Sequence, residues 1–417
     1  PFPTRRSSDL IGGDVQKMKK RIYLSLLMFL QFFVWGGWYV TVGNFMVAKG
    51  METITHWAYS ASPLAAIISP FFLGFIADRY FNAEKVLGIL HILSGFFLLL
   101  APFFSSKPMI FILLLAVHMV CYMPTLGLSN SVAFRNIDDQ EREFPLIRVF
   151  GTLGWIVANI LVSAILHADT TAIPFYIAGT VGVFLGFYCF ILPKTPPLLS
   201  KDTLISFKDI IGLNALNKLK SKSFFVFSLS SFLICIPLAA YYNFAPIFVS
   251  GMGIASPAFK MSFGQMSEVI FMLILPLLFV RYGVKYILLG GMLAWAVRYA
   301  LFAVSASTGV ISLVFLGIIL HGICYDLFFV AGQIYVDKKS TADIRSQAQG
   351  FLVLITYGLG MFIGAQVAGY IYNLLLKGQT VLSVQSWQQF WLVFAVMTTV
   401  VIVYFFLGFK DKLHSKE

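Results

Sequence analysis

The sequence predicts an all-α integral membrane protein with twelve transmembrane helices in two six-helix bundles. Three observations lead there. Of 417 residues, 59% are hydrophobic and only 12% are charged, against about 25% charged in a soluble domain. A water-facing surface cannot be made from half the usual supply of charge, so most of the exterior must face lipid. The apolar residues also fall into twelve runs, each near the ~20 residues that a helix needs to cross a bilayer. Lys and Arg, finally, gather in alternate short connections between those runs.

The runs lie at 22–47, 56–77, 85–104, 108–134, 145–167, 173–193, 223–249, 259–281, 285–306, 309–335, 346–375 and 387–409. Residues 1–17 are polar and unlike the rest of the chain. They read as a non-native or disordered leader, with the natural start expected at Met18. They are no signal peptide, because they contain no apolar core. The first bundle is then expected over 18–194, a linker over 195–222, the second bundle over 223–409 and a tail over 410–417. Within the linker, Leu204 to Leu219 reads either as an amphipathic helix on the membrane face or as a solvated connection.

An even number of spans puts both termini on one side. By the placement of Lys and Arg, that side and its loops hold 22 basic residues and the opposite side four: Lys49, Lys107, Lys260 and Lys377. The excess marks the cytoplasmic face, so both termini are expected there, in a bacterial inner membrane. The net charge of +12 raises the question of nucleic-acid binding. Scattered basic loops between apolar runs fit anionic lipid better. Cys121, Cys189, Cys235 and Cys324 sit inside apolar runs without metal-ligand spacing, which makes them packing residues. No GxxxxGK(S/T) phosphate loop and no nucleophile–base set is visible. An enzyme, a bound cofactor and a metal are therefore not expected.

Ionisable groups inside these runs are few: Arg148, Glu268, Arg298 and Asp326. Each costs roughly 2.5–3.5 kcal/mol to place at a membrane helix centre, so such residues mark pathways or pair with one another. Arg148, Thr152 and Trp155 share one helical face by their i, i+4, i+7 spacing. That face suits a polar, ring-bearing solute, although an arginine near a helix end also snorkels to the interface. Gln265 and Glu268 share a face of span eight. They suit vicinal hydroxyls, unless Glu268 instead pairs with Arg298. His321 and Tyr325 are i, i+4 neighbours on span ten. Asp326 lies ~100° further round and points elsewhere. A buried carboxyl can carry a proton near neutral pH, which nominates Asp326 or Glu268 as the coupling group. Gln31 and Trp35 read either as cavity lining or as packing. His91 and His118 read as satisfied interior histidines, with a proton relay as the alternative.

Gly74-Phe-Ile-Ala-Asp78-Arg79 after span two, with twelve spans and a long central loop, resembles the major facilitator superfamily. The resemblance makes Gly74, Asp78 and Arg79 a conformational gate. Weak echoes between the halves (Arg79-Tyr80 with Arg281-Tyr282, Ile147-Arg148 with Ile344-Arg345) fit its six-plus-six repeat. Six stretches resemble the nucleoside:proton symporters: FLQFFVWGGW (29–38), YMPTLGLSNS (122–131), FPLIRVFGTLGW (144–155), QMSEVIFMLILP (265–276), AWAVRYALFA (294–303) and DIRSQAQGF (343–351). The resemblance implies nucleoside import by proton symport through alternating access, with the proton as coupling ion and a monomer as the working unit. It assigns substrate contact to the positions of Arg148, Thr152, Trp155, Gln265, Glu268, His321 and Tyr325. Phe stands in the family where this chain has Trp155, and Tyr and Phe where it has His321 and Tyr325. Span seven departs further. In CIPLAAYYNFAP (235–246), Ile236 and Ala239 occupy places where the family supplies polar contacts, leaving Tyr242 or Asn243 to substitute. That departure keeps a transporter of another polar solute, such as a sugar, as an alternative. A non-transporting membrane sensor is the other.

Overall fold

Each of the twelve runs is mainly helical over its described residues in the structure, a computed structural model that describes residues 7–72, 80–197, 213–341, 344–376 and 378–410. Gly74, Asp78 and Arg79, linker residues 198–212 and tail residues 411–417 lie outside the described residues. Among those described, nine helices are long and apolar enough to cross a membrane. One of these, Pro257–Thr308, runs for 52 residues, which as a straight rod would extend ~78 Å and overshoot a ~30 Å hydrocarbon core. It breaks at Gly283, where φ is 70° and ψ 166°. That conformation is open to glycine and costly for residues with a Cβ, so the segment supplies spans eight and nine. Two shorter apolar helices, Thr55–Phe72 and Ile173–Cys189, account for spans two and six.

Span one is Ser7–Tyr39 followed by Val42–Ala48, so its helix begins within the segment read as a leader. Span three is Ala83–Leu100, span four Pro108–Arg135 and span seven Lys222–Gly251. Span twelve is Val384–Gly408. Spans five, ten and eleven each contain a π-helical stretch: Ile160–Ile165, Asp326–Val330 and Leu354–Gly360. Such wide turns frequently occur at functional sites. The described part of the linker forms a short helix, Leu213–Lys218, which covers part of the second half of the expected amphipathic segment.

The chain forms two compact units. Unit one is 1–38, 69–161 and 172–204; unit two is 39–68, 162–171 and 205–417. In unit one, spans three and six meet through glycine. A Cβ on Gly95 would lie 2.6 Å from the Gly179 carbonyl oxygen, and one on Gly186 2.7 Å from that of Gly88. Small residues let helix backbones approach where lipid gives no hydrophobic drive to associate. A buried polar cluster joins spans one, three and four. The Gln31 amide donates to Thr125 Oγ1 at 2.7 Å, and its oxygen accepts from Ser129 Oγ at 2.8 Å. His91 Nε2 lies 2.9 Å from the same oxygen. Thr125 gives its own proton to the Tyr122 carbonyl, so it accepts from the Gln31 NH2, which leaves the amide oxygen facing Ser129 and His91. His91 therefore carries its proton on Nε2.

Unit two is held by stacked aromatics, with Trp391 packed on Tyr299, Phe302, Trp387 and Phe390 at 5.0–6.0 Å. Residues 39–68 join it through neutral hydrogen bonds. Asn44 donates to the Pro246 carbonyl, Gln366 to Ser60 Oγ, and Asn373 to the Thr53 carbonyl. Gly369 leaves room for His56, whose ring would lie 2.2 Å from an added Cβ.

Candidate solute site and coupling residues

In unit one, the predicted face of span five carries Arg148, Thr152 and Trp155, all three half-buried. The Arg148 guanidinium lies over the Phe32 ring at 4.1 Å, an attraction between a cation and the negative face of the ring. Gly151 makes room for it: a Cβ there would come 2.6 Å from an Arg148 nitrogen. Trp155 meets Trp35 edge-on at 5.7 Å, and Trp35 meets Tyr122 at 5.8 Å. The backbones approach closely here, since a Cβ on Gly154 would lie 2.1 Å from the Phe29 carbonyl oxygen. The result is an aromatic wall with a guanidinium at one end, able to face a planar ring and bond a hydroxyl or carbonyl. Gln31 does not belong to that wall. It is fully buried and its amide bonds are made inside the protein. His91 and His118 are likewise interior, with His118 Nδ1 2.9 Å from both Ser94 Oγ and the Ser94 carbonyl.

In unit two, spans eight and ten pack face to face through small residues. A Cβ on Gly322 would lie 2.6 Å from the backbone of Ser267 and Glu268, and one on Gly264 2.9 Å from the His321 Cβ. Ser267 Oγ accepts from the Gly322 N–H at 3.0 Å and donates to the Gly264 carbonyl. This contact fixes Gln265 and Glu268 beside the middle of span ten. His321 is fully buried, stacked on Tyr241 at 5.4 Å and edge-on to Tyr242 at 5.9 Å. Tyr325 is half-buried, and its hydroxyl is bonded to that of Tyr357 at 2.5 Å. Tyr242 lies within electrostatic reach of both Tyr325 and Glu268, and Asp326 within reach of Glu268.

Asp326 is fully buried at the start of the π-helical stretch of span ten, and neither of its carboxyl oxygens has a hydrogen-bond partner among the described residues. The alternative pairing of Glu268 with Arg298 is not formed. Arg298 is fully buried; its Nε donates to the Gly317 carbonyl at 2.9 Å and its plane stacks on Tyr241 at 4.2 Å. Its two terminal nitrogens have no hydrogen-bond partner among the described residues.

Span seven resolves its own register. Ala239 is taken up by packing, 2.8 Å from where a Gly364 Cβ would stand, and Ile236 is buried as well. Tyr242 is the residue that reaches Glu268 and Tyr325. Asn243 is buried, with neither amide atom hydrogen-bonded among the described residues. Tyr357 joins the site without a signal in the sequence. It lies in the π-helical turn of span eleven, and the apolar periodicity of LITYGLG carries no sign of that turn.

The profile of the nucleoside H+ symporter family matches residues 18–414. The chain belongs to the nucleoside H+ symporter family. It is 37% identical over 406 residues to the putative nucleoside transporter YegT of Escherichia coli, spanning 94% of this chain and 95% of that one. It is 33% identical to the Escherichia coli xanthosine permease, over 93% of this chain and 95% of that one. The crystal structure of a mutant of the nucleoside transporter NupG superposes with a TM-score of 0.86 at 29% identity, covering 94% of this chain and all of the other. This symporter therefore has the major facilitator fold and is a proton-coupled nucleoside transporter, not an enzyme.

Proposed function

We propose that this symporter imports nucleosides across a bacterial inner membrane as a monomer with both termini in the cytoplasm, using the proton as its coupling ion. In this reading the base lies against the Trp155 wall, and Arg148 and Thr152 bond its polar edge. Gln265 and Glu268 take the ribose hydroxyls, with Tyr325 and Tyr242 beside them. His321 stands behind Tyr242 and supports it. Gly74, Asp78 and Arg79 serve as the conformational gate.

The observation that carries the coupling role is the pair of carboxyls in unit two. Asp326 is fully buried with both oxygens unbonded among the described residues, and Glu268 is within electrostatic reach. An unpaired buried carboxylate is strongly disfavoured against its neutral form, and two neighbouring carboxylates disfavour charging together. A shared proton relieves both problems. Its loss or gain then changes what Glu268 can offer a ribose, which links solute to proton. Uptake of radiolabelled uridine and adenosine in proteoliposomes, with and without a protonophore, tests this. Uptake that ignores the protonophore removes the coupling role, and competition by simple sugars but not nucleosides removes the substrate class.

A further inference from the structure

Span five ends in three irregular features within a short stretch: the π-helical segment Ile160–Ile165, His167 at φ 50°, and the buried Asp169. A left-handed conformation is uncommon for a residue with a side chain, so this backbone is bent for a purpose. It delivers the Asp169 carboxylate to the first turn of span eight. Oδ1 accepts from the Ala258 N–H at 3.1 Å, and Ser163 Oγ lies 2.9 and 2.8 Å from the two carboxylate oxygens. The first turn of a helix leaves N–H groups without intrahelical partners. Span eight cannot supply its own cap, because Ser256 at its N-cap is itself left-handed and its side chain makes no capping bond. Asp169 supplies the cap from 89 residues away.

Both segments lie on the side opposite the termini by the Lys and Arg placement. The neutral bonds from Asn44, Gln366 and Asn373 tie residues 39–68 into the same unit; Asp169 adds a titratable one. We propose that Asp169 is a positioning residue of the transport cycle, a proton-sensitive latch that holds the outer end of span five on span eight when it is protonated from outside.

The sign follows from burial. Asp169 is 7% exposed, and burial pushes its carboxyl above the usual carboxylate range. The Ala258 N–H, the Ser163 hydroxyl and the nearby His167 offset only part of that. On the facing helix, Lys260 is occupied by the rings of Phe259 and Phe263. When the latch opens, the carboxyl meets water and returns toward its ordinary range. The closed form therefore binds the proton more tightly, and by linkage acid favours closing while a charged carboxylate favours opening. Protonated, the group still accepts from Ala258 N–H and can donate to Ser163. An acidic exterior would thus favour closure on the side from which the proton came. Asp169 would release that proton to the same side on reopening, so it senses the gradient without carrying it.

Hydrogen exchange of residues 255–262 in lipid nanodiscs, corrected for the intrinsic effect of pH, reads the latch directly. Protection in the parent chain is expected to rise about fivefold, the lower end of typical coupling between linked sites, from about pH 7 down to about pH 4, where an ordinary carboxyl begins to titrate. Asp169→Asn keeps an oxygen for Ala258 and is neutral at both values. It should show the higher protection at every pH, while uptake persists and keeps the pH dependence that the coupling carboxyls Asp326 and Glu268 confer. His167→Gln should leave the parent's pattern in place. Protection that falls in acid, or an Asp169→Asn chain whose protection at residues 255–262 keeps the parent's pH dependence, overturns the proposal. Either result leaves the nucleoside site untouched, since none of these residues belongs to it.

Discussion

Replacing Gln31 with leucine should destabilise unit one by about 2 kcal/mol without creating a cavity. The side chain has no exposure, and its amide makes three contacts, at 2.7 Å to Thr125, 2.8 Å to Ser129 and 2.9 Å to His91. Side-chain hydrogen bonds inside membrane proteins average about 0.6 kcal/mol each, with a maximum near 1.7. Three average bonds give roughly 2 kcal/mol, and three strong ones roughly 5. Leucine has nearly the same volume, so lost packing adds little. Unfolding of the purified protein in mixed micelles, followed by tryptophan fluorescence, measures the loss. His91→Phe alone and combined with Gln31→Leu completes a cycle. Residues in one hydrogen-bonded network couple by about 0.5 kcal/mol or more. A Gln31→Leu chain within about 0.5 kcal/mol of the parent, or strict additivity with His91→Phe, would refute the network as a source of stability.

Glu268→Gln should abolish concentrative uptake while leaving membrane abundance unchanged; uridine uptake at the parent rate would remove Glu268 from the site. Arg148→Lys keeps the charge but loses the flat stack on Phe32. A cation–π contact of ~1 kcal/mol predicts about a fivefold fall in uptake efficiency, expressed mainly in KM and read from initial rates. At the expected cytoplasmic end of span five, the Arg21 hydrogen bond at 2.7 Å lowers the carboxyl range of Glu143. Its small stabilisation is therefore complete above the ordinary pH of about 4.5 and is lost as acid titrates the bonded carboxylate below it. Thermal unfolding from about pH 6 to about pH 3 should show a slope that Glu143→Gln reduces.

Helix placement is legible in the sequence because burial in lipid demands long apolar runs and little else. The division of Pro257–Thr308 is legible too: Arg281 and Lys285 flank the break, and both are unsuited to hydrocarbon. The π-helical stretches are not, because one extra residue in a turn leaves no mark on a sequence that is apolar on every side. Gln31, His91 and Ser129 are up to 98 residues apart, so their meeting depends on tertiary packing that no local pattern records. The likeness of Arg148, Thr152 and Trp155 to a solute-facing surface can be read from spacing. On span seven the sequence narrows the substitute to Tyr242 or Asn243, but the choice of Tyr242 cannot be read from adjacent positions one residue apart and needs the packing that brings it to Glu268.

Buried polar groups in this symporter divide by whether their bonds are made. Gln31 and Ser267 each satisfy their neighbours, and they lie where helices must stay in register. Asp326 and the Arg298 terminal nitrogens are fully buried and unbonded among the described residues, and Asp326 lies near Glu268 rather than in an ion pair. A membrane interior makes a lasting ionic vacancy of this kind expensive. Stability alone would favour an apolar side chain at such a position, because a well-packed apolar group replaces a buried ion pair at little or no loss. The cost is understandable if the vacancy is filled in another step of the cycle, by a proton on Asp326. In this symporter, polarity therefore serves two ends that look alike in sequence: the completed bonds of Gln31 and Ser267 hold helices in register, while the Asp326 carboxyl, unbonded among the described residues, leaves room for a proton.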